Sequence, residues 1–140
     1  MKTVTTAGIL FWTDENTLVL QRRDAKAPTS ANKLGLFGGH FREDEEPIDA
    51  IIREIHEETT VPLDEISYQF IDAIATPPAP GHDVANVCYV FSAKIKDWHF
   101  KVFEGKGAEA HDINELLARG DVGRDTRHVL EKLKERKLWH

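Results

Sequence analysis

The stretch from Pro47 to Glu58 sets the tightest limit on what this chain can become. Ile48, Ile51, Ile52 and Ile55 recur at the spacing of one buried helical face. Pro47 suits a first helical turn, where its missing N–H would be unpaired in any case. Beside the apolar stripe, Glu54, Glu57 and Glu58 stand at i, i+3 and i+4, within an arc of roughly 100°. Carboxylates crowded this way repel one another. They also lie at the C-terminal end of the helix, where the dipole is negative and prefers cations. Local stability does not choose this arrangement. A solvated acidic face is one reading of it. The other is a bound divalent cation, for which hard Mg²⁺ is suited because it takes oxygen ligands and shares them with substrate phosphates.

The residues upstream weigh on that choice. Gly38-Gly39 follow Leu36-Phe37 and precede His40-Phe41; a glycine pair at a strand's end lets the backbone bend and approach something closely, or simply makes a turn. Counting from Gly39, five residues lead to Glu45 and seven more to Arg53-Glu54-Ile55, followed by His56, Glu57-Glu58, Thr59, Thr60 and Val61. This resembles the Nudix box, G-x5-E-x7-R-E-U-x-E-E-x-G-U, with U a bulky aliphatic residue. Six glycine or charged identities match at fixed spacing, a coincidence on the order of 10⁻⁷ per window from average composition. The pattern departs at Thr60, where the box has glycine; a β-branched residue would be strained there by about 1–3 kcal/mol if φ had to be positive. The expectation is that the helix ends differently, with Pro62 stopping it. Phe37 also stands where many relatives carry proline.

The resemblance covers residues 39–61 and implies a strand-loop-helix unit in a mixed-sheet sandwich, acting as a metal-dependent hydrolase of phosphoanhydride bonds. By the same resemblance Glu54, Glu57 and Glu58 hold Mg²⁺, with Mn²⁺ as a substitute and the Gly38 carbonyl completing the site. Glu45 and Arg53 form a structural ion pair, and Gly39 belongs to the turn. The general base lies on the box helix or on a later loop, where Glu104 and Glu109 are the candidates beside the ordinary reading of surface glutamates. Arg22-Arg23, Ala31-Asn32-Lys33-Leu34 and Gly38-Gly39 together resemble mutator-type nucleoside triphosphate pyrophosphohydrolases. Pro77, about 16 residues past the box, resembles a spacing in some ADP-ribose hydrolases. A nucleotide-sugar substrate, or a non-catalytic nucleotide-sensing module, are the alternatives. Homodimers are common in the family.

Arg22 and Arg23 end a predicted strand, and a guanidinium matches phosphate in bidentate fashion; a solvated pair at a sheet edge reads the same. His40 after the glycines can touch a phosphate or ribose, or be a surface histidine. Trp12, Phe37 and Trp98 can stack on a base, although aromatics in a small domain are mostly core. His82, Cys88 and His111 lack zinc-ligand spacing and are read as structural.

Outside the box, Val4 to Trp12 and Thr17 to Gln21 predict a hairpin, and Tyr68 to Thr76 and Val84 to Lys94 predict two more strands around a Pro-rich turn. Phe100 to Phe103 predicts a further short strand. Asp112 with Glu115 has capping-box spacing for a helix ended by Gly120, and Asp125 to Lys137 predicts a last helix with Val129, Leu130 and Leu133 inward. Strands, helix, strands and helices in that order give an α+β domain, a three-layer α/β/α sandwich with a mixed sheet flanked by helices. No repeat or linker interrupts residues 1–140, which are expected to form a single domain.

A net charge of −6 argues against nucleic-acid polymers and anionic membranes as partners. For an acidic protein to take a small polyphosphate, cations or a local basic patch must reverse the sign at the site. No apolar run reaches the roughly 18 residues of a membrane helix. The opening MKTVTTAGILFW, broken by threonines and followed by no cleavage signal, is a half-buried strand rather than a signal peptide. The single cysteine, Cys88, fits a reducing compartment and predicts a cytoplasmic protein.

Overall fold

The computed structural model describes residues 2–28 and 30–138. Its strands are β1 (Lys2–Trp12), β2 (Thr17–Arg22), β3 (Leu34–Gly35), β4 (Phe37–His40), β5 (Gln69–Thr76), β6 (Val84–Lys94) and β7 (Gly107–Asp112); its helices are α1 (Pro47–Glu58), α2 (Ile113–Ala118) and α3 (Arg124–Glu135). The sheet runs β3-β2-β1-β6-β5, with β4 on β1 and β7 on β2. β1 and β6 are parallel, and the other pairs are antiparallel. The sheet is therefore mixed, with helices on both faces.

Strand periodicity builds the sandwich. In β1, Leu10 and Trp12 pack toward α2 and α3 with Leu18, Leu20, Leu116, Leu130 and Leu133. The intervening Ile9 and Phe11 pack toward α1 with Val19, Ile51 and Ile55. Alternate residues of one strand thus feed two cores. A strand buried on both faces needs a nearly continuous apolar run, and residues 7–12 supply one.

Three sequence-based expectations are corrected. Ile48 is 38% exposed, and the buried face of α1 runs through Ala50, Ile51 and Ile55 onto Glu58. The helix is deepest at its C-terminal end, so the first-turn isoleucine lies outside the core. Phe100 to Phe103 form no strand; Val102 makes an isolated bridge to Thr59, and the segment hydrogen-bonds to the exit of α1. β7 stands instead at Gly107–Asp112, paired along β2. Asp112 does cap α2, accepting from the N–H groups of Asn114 and Glu115, but α2 stops at Ala118, before Gly120.

Candidate active site

The glycine turn and the acidic helix meet at the β1–β4 pairing. Gly8 lies opposite Gly38, and Ala7 opposite Gly39. Gly38 has φ 142°, and a Cβ there would run into the Ala7 carbonyl. Only glycine fits this position. The Gly38 N–H donates to Glu58 Oε1 at 3.0 Å. At Gly39 the constraint is Glu54, whose carboxyl carbon would lie 2.7 Å from an added Cβ. Two of the three helix carboxylates therefore close onto the turn.

Arg53 holds the loop to the helix. Its Nε donates to Glu45 Oε2 at 2.6 Å, and its Nη2 donates to Glu45 Oε1 at 2.9 Å and to the His40 carbonyl at 3.0 Å. Its Nη1 donates to Glu54 Oε1 at 2.9 Å and Glu57 Oε2 at 3.3 Å. These bonds, with the Arg42 N–H, hold the Glu45 carboxyl down at about 2. Glu57 is the most open of the three helix carboxylates: its side chain is 43% exposed and pairs with Arg42 at 2.9 Å as well as Arg53.

Glu58 is 4% exposed. Burial first, then the negative charges of Glu54 and Glu104, push its carboxyl up to about 8 against the opposing pull of the Gly38 hydrogen bond and the Arg23 charge. A cleft of about 550 Å³ lies beside the glycine turn; Gly38, Gly39, Glu54, Arg23, His40 and Glu104 line it. Thr6, Leu36, Asn86, Asp125 and Thr126 line it as well.

The geometry has a counterpart among known proteins: the NUDIX domain model matches residues 2–133. The chain belongs to the NUDIX family. It is, by that membership, a Nudix-type pyrophosphohydrolase. No curated protein matches it. Among solved structures, the MutT protein of Methanosarcina mazei is similar at TM-score 0.81 and 17% identity, over 97% of this chain and 96% of that one. The Nudix domain of Shewanella oneidensis NrtR, solved with ADP ribose, is similar at TM-score 0.73 and 16% identity, over 98% and 90%. The E. coli dihydroneopterin triphosphate pyrophosphohydrolase is similar at TM-score 0.73 and 13% identity, over 97% and 99%. At these identities the likeness is one of fold.

Nudix hydrolases in general need divalent metal. Among the described residues, no three His, Cys, Asp or Glu side chains are gathered into a ready-made metal site; Glu57 is instead paired with Arg42 and Arg53. The donor set nonetheless fits a cation. A nearly buried carboxylate flanked by two further negative charges carries an electrostatic cost that the Gly38 N–H and the Arg23 charge offset only in part, and a hard divalent ion with oxygen ligands would lower it.

Two candidate residues of the Nudix site are placed elsewhere. Arg22 was expected on substrate, but its Nε and Nη2 donate to Glu109 at 2.7 and 2.9 Å, and its Nη1 to Asp121 and to the Asn32 carbonyl, both at 3.0 Å. Glu109 was expected on a loop, but it lies in β7, opposite Leu20. Arg22 is opposite Gly107, so Glu109 is its diagonal neighbour on one face of the sheet. Hydrogen bonds from Arg22 and His111 hold the Glu109 carboxyl down at about 2. This pair ties β2 to β7 and is no longer a candidate for substrate binding or proton transfer. His111 is structural, as its spacing implied.

Trp12 and Phe37 are core, at 3% and 0% exposed. Trp98 stacks on His99 away from the cleft lining. Cys88 is buried in the core and borders the cleft. Sequence reasoning missed Asn86, Asp125 and Thr126, which reach the cleft from β6 and α3 and carry no local motif. At Thr60 the strain question disappears: it is absent from the positive-φ residues, and the chain leaves α1 extended through Thr59, at φ −141°.

Proposed function

We propose that this protein hydrolyses, with Mg²⁺ or Mn²⁺, a phosphoanhydride bond in a nucleoside diphosphate linked to another group, and that a nucleoside triphosphate or deoxynucleoside triphosphate is the preferred substrate. The observation that carries the reading is the meeting of Glu54, Glu58 and Glu104 beside the glycine turn and the cleft.

Glu54, Glu57, Glu58 and the Gly38 carbonyl would hold the cation, which when bound offsets the charge of the phosphate oxygens. Arg23 lines the cleft and offers its guanidinium to phosphate, and His40 stands beside it. Water attacks phosphorus in line; its oxygen forms the new P–O bond, the bridging P–O bond breaks, and its electron pair leaves on the departing phosphate. Glu104, in the cleft lining, takes the proton of the attacking water. Asn86 and Asp125, also in the cleft lining, supply a donor and an acceptor for a base. The Thr6 hydroxyl, donating to Asn86 Oδ1 at 3.0 Å, turns the amide so that its NH₂ is left to the ligand.

One fold neighbour favours an alternative. The domain solved with ADP ribose supports an ADP-ribose pyrophosphatase, with nucleotide sugars as the related substrate class; a non-catalytic nucleotide-sensing module is the other alternative. Retention of Glu54, Glu57 and Glu58 speaks for catalysis. We place the protein in the cytoplasm, as one domain over residues 1–140, acting on a small molecule and not on nucleic acid or membrane, with its oligomeric state left open between monomer and homodimer. No helix among the described residues is long and apolar enough to cross a membrane.

The deciding experiment is a panel of canonical and oxidised nucleoside triphosphates, ADP-ribose, dinucleoside polyphosphates and nucleotide sugars, each incubated with Mg²⁺ and with chelator, with products identified by mass. Triphosphates turned over to monophosphate and pyrophosphate support the reading. Turnover confined to ADP-ribose or nucleotide sugars supports the alternative, and equal turnover in chelator removes both.

A further inference from the structure

Thr60 occupies the box position where the family pattern has glycine, and the structure gives its side chain a partner. Its N–H donates to the Lys101 carbonyl at 3.0 Å, and the Lys101 N–H donates back to the Thr60 hydroxyl at 2.9 Å. The contact continues as a short ladder: Thr59 bridges Val102, and the Phe103 N–H donates to the Glu58 carbonyl at 2.7 Å. The exit of α1 is thus laced to residues 101–103, immediately before Glu104.

The same segment is gripped from the other side. Gln21, 6% exposed, donates through Nε2 to the Glu104 carbonyl at 3.0 Å. The Lys106 N–H donates to the Arg22 carbonyl at 2.8 Å. Between them Gly105, at φ 72°, presses on the Arg22 carbonyl where a side chain would not fit. Residues 101–106 therefore form a strap between α1 and β2, with Glu104 at its centre facing the cleft.

We infer that Thr60 is a positioning residue, whose hydroxyl locks the strap against α1 and so fixes the Glu104 carboxylate relative to Glu54 and Glu58. Glycine can supply the backbone bond at this position and cannot supply the hydroxyl. The inference rests on the role assigned to Glu104 above, and its test separates the two.

The test compares Thr60→Val, Thr60→Ser, Glu104→Gln and the Thr60→Val/Glu104→Gln double variant. Lys101 and Phe103 amide exchange is followed, together with kcat and KM on the best substrate of the panel. Valine keeps the shape and removes the acceptor. In Thr60→Val the Lys101 amide exchanges faster and kcat falls by about tenfold with KM little changed, the pattern of a displaced group. Serine restores both. In the Glu104→Gln background the valine costs nothing further, because the group it positions is already lost. An unmoved Lys101 amide, or an unchanged kcat in Thr60→Val, overturns the clamp while leaving Glu104 in its role. An equal tenfold loss in the Glu104→Gln background overturns the route through Glu104. Full activity of Glu104→Gln overturns both that residue's role and the inference built on it.

Discussion

Gly38 and Glu58, 20 residues apart, are joined by a hydrogen bond from the glycine N–H to Oε1 at 3.0 Å. The bond ties the turn that bends the backbone to the acid at the buried end of the helix. It also fixes that acid beside the cleft, where Glu54 and Glu104 add their charge. A carboxylate so buried is unfavourable in the free protein and useful once a cation and a phosphate arrive.

Gly39→Ala tests the fit between turn and helix. The new methyl would stand 2.7 Å from the Glu54 carboxyl carbon, and Glu54 must move. Turnover should fall by about 10²-fold from misplacement of the group, with a melting temperature close to that of the parent. Parental turnover would mean that the position of Glu54 is unimportant.

Arg22→Ala and Arg23→Ala should separate cleanly. Arg22 is committed to Glu109 and Asp121, so its loss should lower stability by about 2 kcal/mol in urea titration and leave the kcat of the folded protein near normal. Arg23 lines the cleft, so its loss should raise KM by about tenfold through a missing charged contact to phosphate. The reverse pattern would reassign the two arginines.

The pH dependence of the metal-free protein carries the signature of Glu58. Below its ordinary value of 4.5 the carboxyl is protonated in the folded and unfolded chain alike; between 4.5 and about 8 the unfolded chain gives up a proton that the folded protein keeps. The folded state therefore loses stability as pH rises through that window. Melting temperature should decline from about pH 5 to about pH 8 in chelator, and the decline should flatten in Glu58→Gln and on adding Mg²⁺. At the acid end Glu45 and Glu109, both held down at about 2, act oppositely. Their contribution is complete above 4.5 and is lost as pH falls toward 2. A slope identical in wild type and Glu58→Gln would show that Glu58 is not the group responsible.

Arg53→Ala should lower stability by about 2 kcal/mol in urea titration, since it removes the partner of Glu45 and leaves Glu54 and Glu57 without their shared cation. Lysine at this position should recover part of the loss, because it keeps the charge without the fork. A neutral effect would mean that other contacts hold the loop.

Much of this architecture is legible in the chain because its signals are local. Isoleucine spacing and Pro47 announce α1, and the resemblance to the Nudix box implies the Glu45–Arg53 ion pair that the structure contains. β7 is not legible: GAEAHD has no β-branched or large aromatic residue, and it is a strand because β2 offers it an open edge. Phe100 to Phe103 mislead in the opposite sense, since their apolar side chains suggest a strand while part of their backbone is bonded to Thr60 and Glu58. Arg22 and Arg23 are adjacent in sequence, and the Arg22 partners Glu109 and Asp121 arrive from 87 and 99 residues away, beyond the reach of any local signal. Long separation in sequence likewise hides Asn86 and Asp125, which share the cleft lining with Gly38 and Gly39.

Direct binding of Mn²⁺, measured by its free-ion paramagnetic signal in wild type and in Glu54→Gln, Glu57→Gln and Glu58→Gln, bears on the acidic helix most plainly. Wild type should take up the ion, each substitution should weaken uptake by about tenfold or more as a charged oxygen ligand is lost, and all three variants should remain folded. No uptake by folded wild type, with or without nucleotide, or uptake indifferent to all three substitutions, would contradict the assignment of these glutamates to metal.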